Sequence, residues 1–91
     1  MSGPTARGTI VASTPVELAA PWWTRRNVLI TCVSTSEPGG VVYVGGPVVS
    51  AEDGYPLRAR ERLQLDLAPD AALFAVVSIG TADVRVLETS E

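Results

Sequence analysis

Arg60-Glu61-Arg62-Leu63-Gln64-Leu65-Asp66-Leu67 carries the clearest pattern in the chain. In an extended backbone Leu63, Leu65 and Leu67 point one way, and Arg62, Gln64 and Asp66 point the other. Successive side chains of a strand alternate between faces, so the segment reads as a half-buried β-strand with Leu65 in the core.

The same reading extends outward. Asp83–Glu88 closes the chain with Val84 and Val86 inward and Asp83, Arg85 and Leu87 outward. Between the two, Ala68-Pro69-Asp70 is a turn and Ala72–Ile79 is apolar throughout. Pro69 and the alanines after it would tolerate a helix, but Val76, Val77 and Ile79 favour strand because a branched Cβ packs well on a pleated surface. Gly80-Thr81 reads as a two-residue hairpin loop. Towards the N-terminus, Asn27–Ser34 is apolar on both faces, Val28, Ile30 and Cys32 against Leu29, Thr31 and Val33, so it should be central or covered on both sides. Thr35–Gly40 is a loop, Val41–Val44 a strand and Val48-Val49 a brief strand. Ala51–Gly54 is a turn built on Asp53-Gly54. Thr9–Ser13 and Val16–Ala19 are short strands, and Ala20–Thr24 is an irregular connector holding Pro21. Seven or eight short antiparallel strands separated by turns predict an all-β fold, a single small jelly-roll-like β-sandwich.

Ninety-one residues predict one domain, with residues 1–8 as an N-terminal arm and 9–91 as the sandwich. A domain this small buries only ~60–65% of the surface its unfolded chain exposes, so it gains from a partner surface. The five aromatic residues are too few to fill a core, which leaves Val, Leu and Ala. All seven basic residues are Arg, there is no Lys or His, and the net charge is −3. A net-acidic chain is a poor ligand for a phosphate backbone, so no nucleic-acid partner is expected. Met1–Gly8 lacks the apolar core of a signal peptide, and no run approaches the length of a membrane span, so the expected product is soluble, made in the cytoplasm and without a membrane partner. Cys32, the lone cysteine, reads as a small buried hydrophobe.

The usual catalytic and metal-binding sets are missing. Small jelly-roll metal enzymes lean on imidazole ligands, and there is no His. Glu52-Asp53 lies in a turn without further oxygen ligands at a useful spacing. A nucleophilic Ser or Cys lacks its usual His or Lys base. Glu61 and Asp66 differ in strand parity, which separates them as a carboxylate pair. Gly39-Gly40 and Gly45-Gly46 form no phosphate-cradling loop. The chain is expected to be no enzyme and to need no cofactor or metal.

Three features carry recognition chemistry. Trp22-Trp23 is either an interface anchor or one core ring beside one surface ring; the adjacent Arg25-Arg26 tilts it towards interface, where Arg is enriched. Arg58, Arg60 and Arg62, two apart, would form a stripe along a strand: a solvated face balanced by Glu61 and Asp66, or a contact to an acidic neighbour. Gly54-Tyr55-Pro56-Leu57 reads first as a structural turn, with Pro56 holding Tyr55 extended.

Across Asn27–Glu88 the motifs stand in a telling order: Val42-Tyr43-Val44-Gly45, Gly54-Tyr55-Pro56-Leu57, Leu63-Gln64-Leu65-Asp66-Leu67, Leu73-Phe74-Ala75 and Val84-Arg85-Val86-Leu87. This order resembles a family of small β-sandwich proteins encoded among tailed-bacteriophage structural genes, in which a VYVG strand is followed by GYPL, LxLDL, LYA and VRVL. The resemblance implies a virion protein of the capsid exterior: a decoration, or cement, protein that binds the major capsid protein as a homotrimer at quasi-threefold positions. The alternative it allows is a carbohydrate- or receptor-binding module of a virion fibre or tail. A third class is a host-directed regulatory protein found off the particle. The Trp pair is a departure from the family pattern, and the matched motifs determine the fold rather than a site. The interface candidates are therefore Trp22, Trp23, Arg25, Arg26, Arg58, Arg60 and Arg62.

Overall fold

The computed structural model describes residues 5–20 and 26–90. They form eight β-strands: β1 (Thr5–Val11), β2 (Val16–Ala19), β3 (Arg26–Thr35), β4 (Val42–Gly45), β5 (Tyr55–Leu57), β6 (Arg62–Leu67), β7 (Leu73–Val77) and β8 (Ala82–Ser90). No helix forms among the described residues. The strands make two four-stranded antiparallel sheets, in the orders β1-β8-β3-β6 and β2-β7-β4-β5. The pairs nest: the first strand with the last, the second with the seventh, the third with the sixth, the fourth with the fifth. That is one long antiparallel hairpin rolled up on itself, the jelly-roll strand order.

The core lies between the sheets and holds only Val, Leu, Ala, Ile and Cys side chains. From one sheet come Val11, Val28, Ile30, Cys32, Leu67, Ala82, Val84 and Val86; from the other come Leu18, Ala19, Val42, Val44, Leu57, Leu73, Ala75 and Val77. β3 is central, as its apolar run implies, and binds β8 on one side and β6 on the other. Only one of its faces is covered, however: Leu29 and Thr31 are half-buried and Val33 is exposed. The described residues form two sheets and no third layer, so the outward face of β3 is only partly covered. The alternation of β6 and β8 is as read. Leu67 is buried, while Leu63 and Leu65 point inward yet remain half-exposed, because β6 is the last strand of its sheet.

Several boundaries differ from the sequence reading, each for a topological reason. The first strand begins at Thr5 instead of Thr9, and Thr5–Gly8 pair with Glu88–Arg85. An edge strand is held by its ladder and needs no apolar alternation, so this part of the expected arm belongs to the sandwich; residues 1–4 lie outside the described residues. Tyr55–Leu57, expected as a turn, is a strand pairing with β4, and Pro56 is tolerated because β5 is an edge. Val48-Val49 lies within the β4–β5 connection and forms no strand. Gly80-Thr81 does not close a hairpin, since β7 and β8 lie in different sheets. Gly80 does take the left-handed conformation, with φ 67°. A Cβ there would run into the Ser36 hydroxyl, which accepts a hydrogen bond from the Thr81 amide. The β7–β8 arch is thereby fastened to the β3–β4 loop, a link completed by the Ser36 amide donating to the Thr81 carbonyl.

Candidate functional site

The described residues contain two arginine clusters of opposite character, one at each end of the sandwich.

The first is the β5–β6 connection. After Leu57 the chain leaves one sheet, turns through Arg58-Ala59-Arg60-Glu61 and enters the other at Arg62. The Glu61 carboxylate accepts from the Arg58 amide at 2.7 Å, and the Glu61 amide donates to the Arg58 carbonyl. Arg60 sits in the left-handed region at φ 74°. Its amide donates to the Cys32 carbonyl, and the Cys32 amide donates to the Glu61 carbonyl, which staples the turn to β3. The expected strand stripe of Arg58, Arg60 and Arg62 therefore does not form, because only Arg62 lies in a strand. The three residues still line one open groove, with Tyr55, Pro56, Leu57 and Glu61. All three are exposed. The sequence reading balanced them with Glu61 and Asp66, but Glu61 is engaged by backbone and Asp66 accepts from Asn27 Nδ2 at 2.9 Å. None of the three has a carboxylate partner among the described residues. The result is a concentrated positive patch on a net-negative molecule.

The second cluster centres on Glu88. Its Oε2 lies 2.8 Å from Arg7 Nη1 and its Oε1 lies 3.3 Å from Arg26 Nε. Arg7 sits on β1 and Arg26 on β3, the two neighbours of β8, so one carboxylate ties three strands. Each guanidinium also reaches across the sandwich: Arg7 Nη2 donates to the Leu18 carbonyl of β2, and Arg26 Nη2 donates to the Ala71 carbonyl before β7 at 2.8 Å. Arg26 is 4% exposed, and its Nη1 is buried without a hydrogen-bond partner among the described residues. Arg26 was a candidate for partner contact; in the structure its guanidinium is engaged inside its own domain. Glu88 and Arg7 were not among the candidates. The signal that finds this cluster is strand phase. Arg26 shares the inward phase of Val28 and Ile30, Arg7 that of Val11, and Glu88 that of Val84 and Val86.

Trp22, Trp23 and Arg25 lie outside the described residues, in the β2–β3 connection.

Cys32 is fully buried. Burial raises its thiol pKa first, and the negative charges of Asp83 and Glu61 raise it further. Because the thiolate is the nucleophile, the native thiol is expected to resist alkylation. Iodoacetamide should modify it only in denaturant; comparable labelling rates in native and denatured protein would contradict the buried placement. Among the described residues no group of three His, Cys, Asp or Glu side chains is placed to hold a metal ion.

Compared with known proteins, the chain matches no family model, no curated protein and no solved structure.

Proposed function

We propose that this chain is a bacteriophage virion structural protein, a decoration protein that binds the outer surface of the assembled head. The observation that carries the reading is the placement of the phage-like motifs. Val42–Gly45 is β4, Tyr55–Leu57 is β5, Leu63–Leu67 falls in β6, Leu73–Ala75 opens β7 and Val84–Leu87 lies in β8. The motifs are thus consecutive strands of one sandwich, and one face of each enters its core through Val42, Val44, Leu57, Leu67, Leu73, Ala75, Val84 and Val86. A decoration protein needs a compact fold, a charged or aromatic contact surface and self-association. The Arg58/Arg60/Arg62 patch fits an acidic site on the major capsid protein, since guanidinium groups bind carboxylates bidentately. The resemblance further implies a homotrimer at quasi-threefold positions, where attachment through several copies raises avidity. The alternative is a glycan- or receptor-binding module of a virion fibre or tail, which would present exposed aromatics to its ligand; among the described residues Tyr55, at 58%, is the most exposed aromatic.

The test is co-sedimentation of purified protein with emptied heads stripped of it. Saturable binding is expected, with occupancy lowered by Arg58→Ala with Arg60→Ala, and by Trp22→Ala with Trp23→Ala. Protein that stays in the supernatant, or that sediments only with fibres or tails, would overturn the reading. A deletion probe of the N-terminus should remove residues 2–4 only, because Thr5 onward is part of β1.

A further inference from the structure

A two-stacked-sheet fold has four edge strands, here β1, β6, β2 and β5. An open edge is a template for another strand, and natural sheets blunt it with brevity, Pro, bulges or inward-pointing charge. Three of these edges are blunted. β5 has three residues, one of them Pro56. β2 has four residues and a bulge between Glu17 and Ala19. β1 points Arg7 inward, towards Glu88. β6 has none of these devices: its six residues contain no Pro or Gly, its ladder with β3 is unbroken, and its inward positions are Leu63, Leu65 and Leu67.

We infer that β6 is a two-fold contact between copies of this chain, pairing antiparallel with β6 of a second copy about Gln64. The segment Arg62-Leu63-Gln64-Leu65-Asp66 is complementary to its own reverse. With Gln64 on the axis, Arg62 faces Asp66 of the second copy, Leu63 faces Leu65, and Gln64 faces Gln64. Opposite charges directly across an antiparallel pair attract, and like charges repel, so the sequence selects this register. The side chains are set for it. Arg62 is exposed and has no carboxylate partner among the described residues. Asp66 is exposed and held by Asn27 through Oδ1, while Gln64 Nε2 donates to Asn27 Oδ1 at 2.9 Å. Leu63 and Leu65 are packed against the core yet half-exposed on this edge strand. A second β6 covers them and joins two four-stranded sheets into one. The contact is isologous, each residue meeting its counterpart in reverse. A seam of five residues is about 17 Å long, so the pair should dissociate on dilution.

The pairing stands independently of the decoration reading, and is measured on purified protein without particles. A threefold ring closes through unlike faces, whereas the β6 seam joins like faces about a two-fold axis, so the readout is a doubling of whatever mass is present on dilution. Sedimentation equilibrium should show wild-type mass doubling with concentration. Arg62→Asp and Asp66→Arg should each abolish doubling by facing like charges across the axis. The two changes combined should restore it, because the swapped pair is again complementary. Gln64→Cys should give a disulfide-linked dimer under mild oxidation, whereas Cys32 is buried and does not compete. No doubling in the wild type, doubling in both single variants, or failure of the combined variant to recover while its far-UV spectrum remains β-sheet would overturn the inference.

Discussion

Glu88→Ala should lower the free energy of unfolding by about 3 kcal/mol, towards the lower end of the range for breaking a buried ion pair from one side. The reason is what remains. Arg26 would stay buried at 4% exposure with one hydrogen bond, to the Ala71 carbonyl, and no counter-charge among the described residues. Arg7 fares better, because its side chain is 38% exposed and water can solvate it. Glu88 keeps 18% exposure, which is why the expected loss sits at the low end. Arg26→Met should be milder than Glu88→Ala, since it removes the buried cation and leaves an apolar stem in its place. Urea unfolding of the two variants beside wild type checks both values and their order. A loss under ~1 kcal/mol for Glu88→Ala would mean that the cluster behaves as a surface ion pair.

This cluster shows where the sequence was legible and where it was not. Where alternation is strong it gives both strand and phase, so Arg62–Leu67 of β6 and Asp83–Leu87 of β8 carry the phase read from the sequence, although β6 starts at Arg62, two residues after Arg60, where the sequence pattern begins. Phase also places Arg7, Arg26 and Glu88 inward, but ionisable residues at strand ends are ordinarily solvent-facing, and their partners lie far away in the chain: Arg7 and Glu88 are 81 residues apart. Sheet membership is harder still. A tight turn and a crossing arch draw on the same residues, so Gly80-Thr81 reads as a hairpin although it joins two sheets. The β5–β6 crossing is hidden for a similar reason. Arg58, Arg60 and Arg62 keep an alternating spacing through a segment that is not extended, and nothing local reveals that Arg60 turns left-handed to reach Cys32. The self-complementary segment of β6, by contrast, is visible in one dimension, but it gains meaning only once the topology makes β6 an edge. The residues at 21–25, with the Trp pair, remain an expectation from sequence.

The second large effect is Ile30→Ala, expected to destabilise the fold by ~3–5 kcal/mol. Typical domains are stable by only ~5–15 kcal/mol, so a loss of this size is a large share of the total. Ile30 is fully buried in the middle of β3, with Leu63 of β6 and Val86 of β8 as its cross-strand partners. Strands held by ladders on both sides cannot close over the missing atoms, so the cavity persists and its lining loses contacts. Leu65→Ala removes a side chain of the same volume class and, from alternation alone, would be expected to cost as much. In the structure Leu65 is half-exposed on an edge strand, so in dilute protein its loss should fall clearly below that of Ile30. The comparison also reports on the flank. If a second copy covers β6, the effect of Leu65→Ala should grow with protein concentration, because the dimer buries what the monomer leaves wet, while that of Ile30→Ala should not. Urea unfolding of both variants at low and high protein concentration measures this directly. Equal losses at both sites in dilute solution would show Leu65 to be core. Unequal losses that do not change with concentration would leave the core assignment standing and count against pairing through β6.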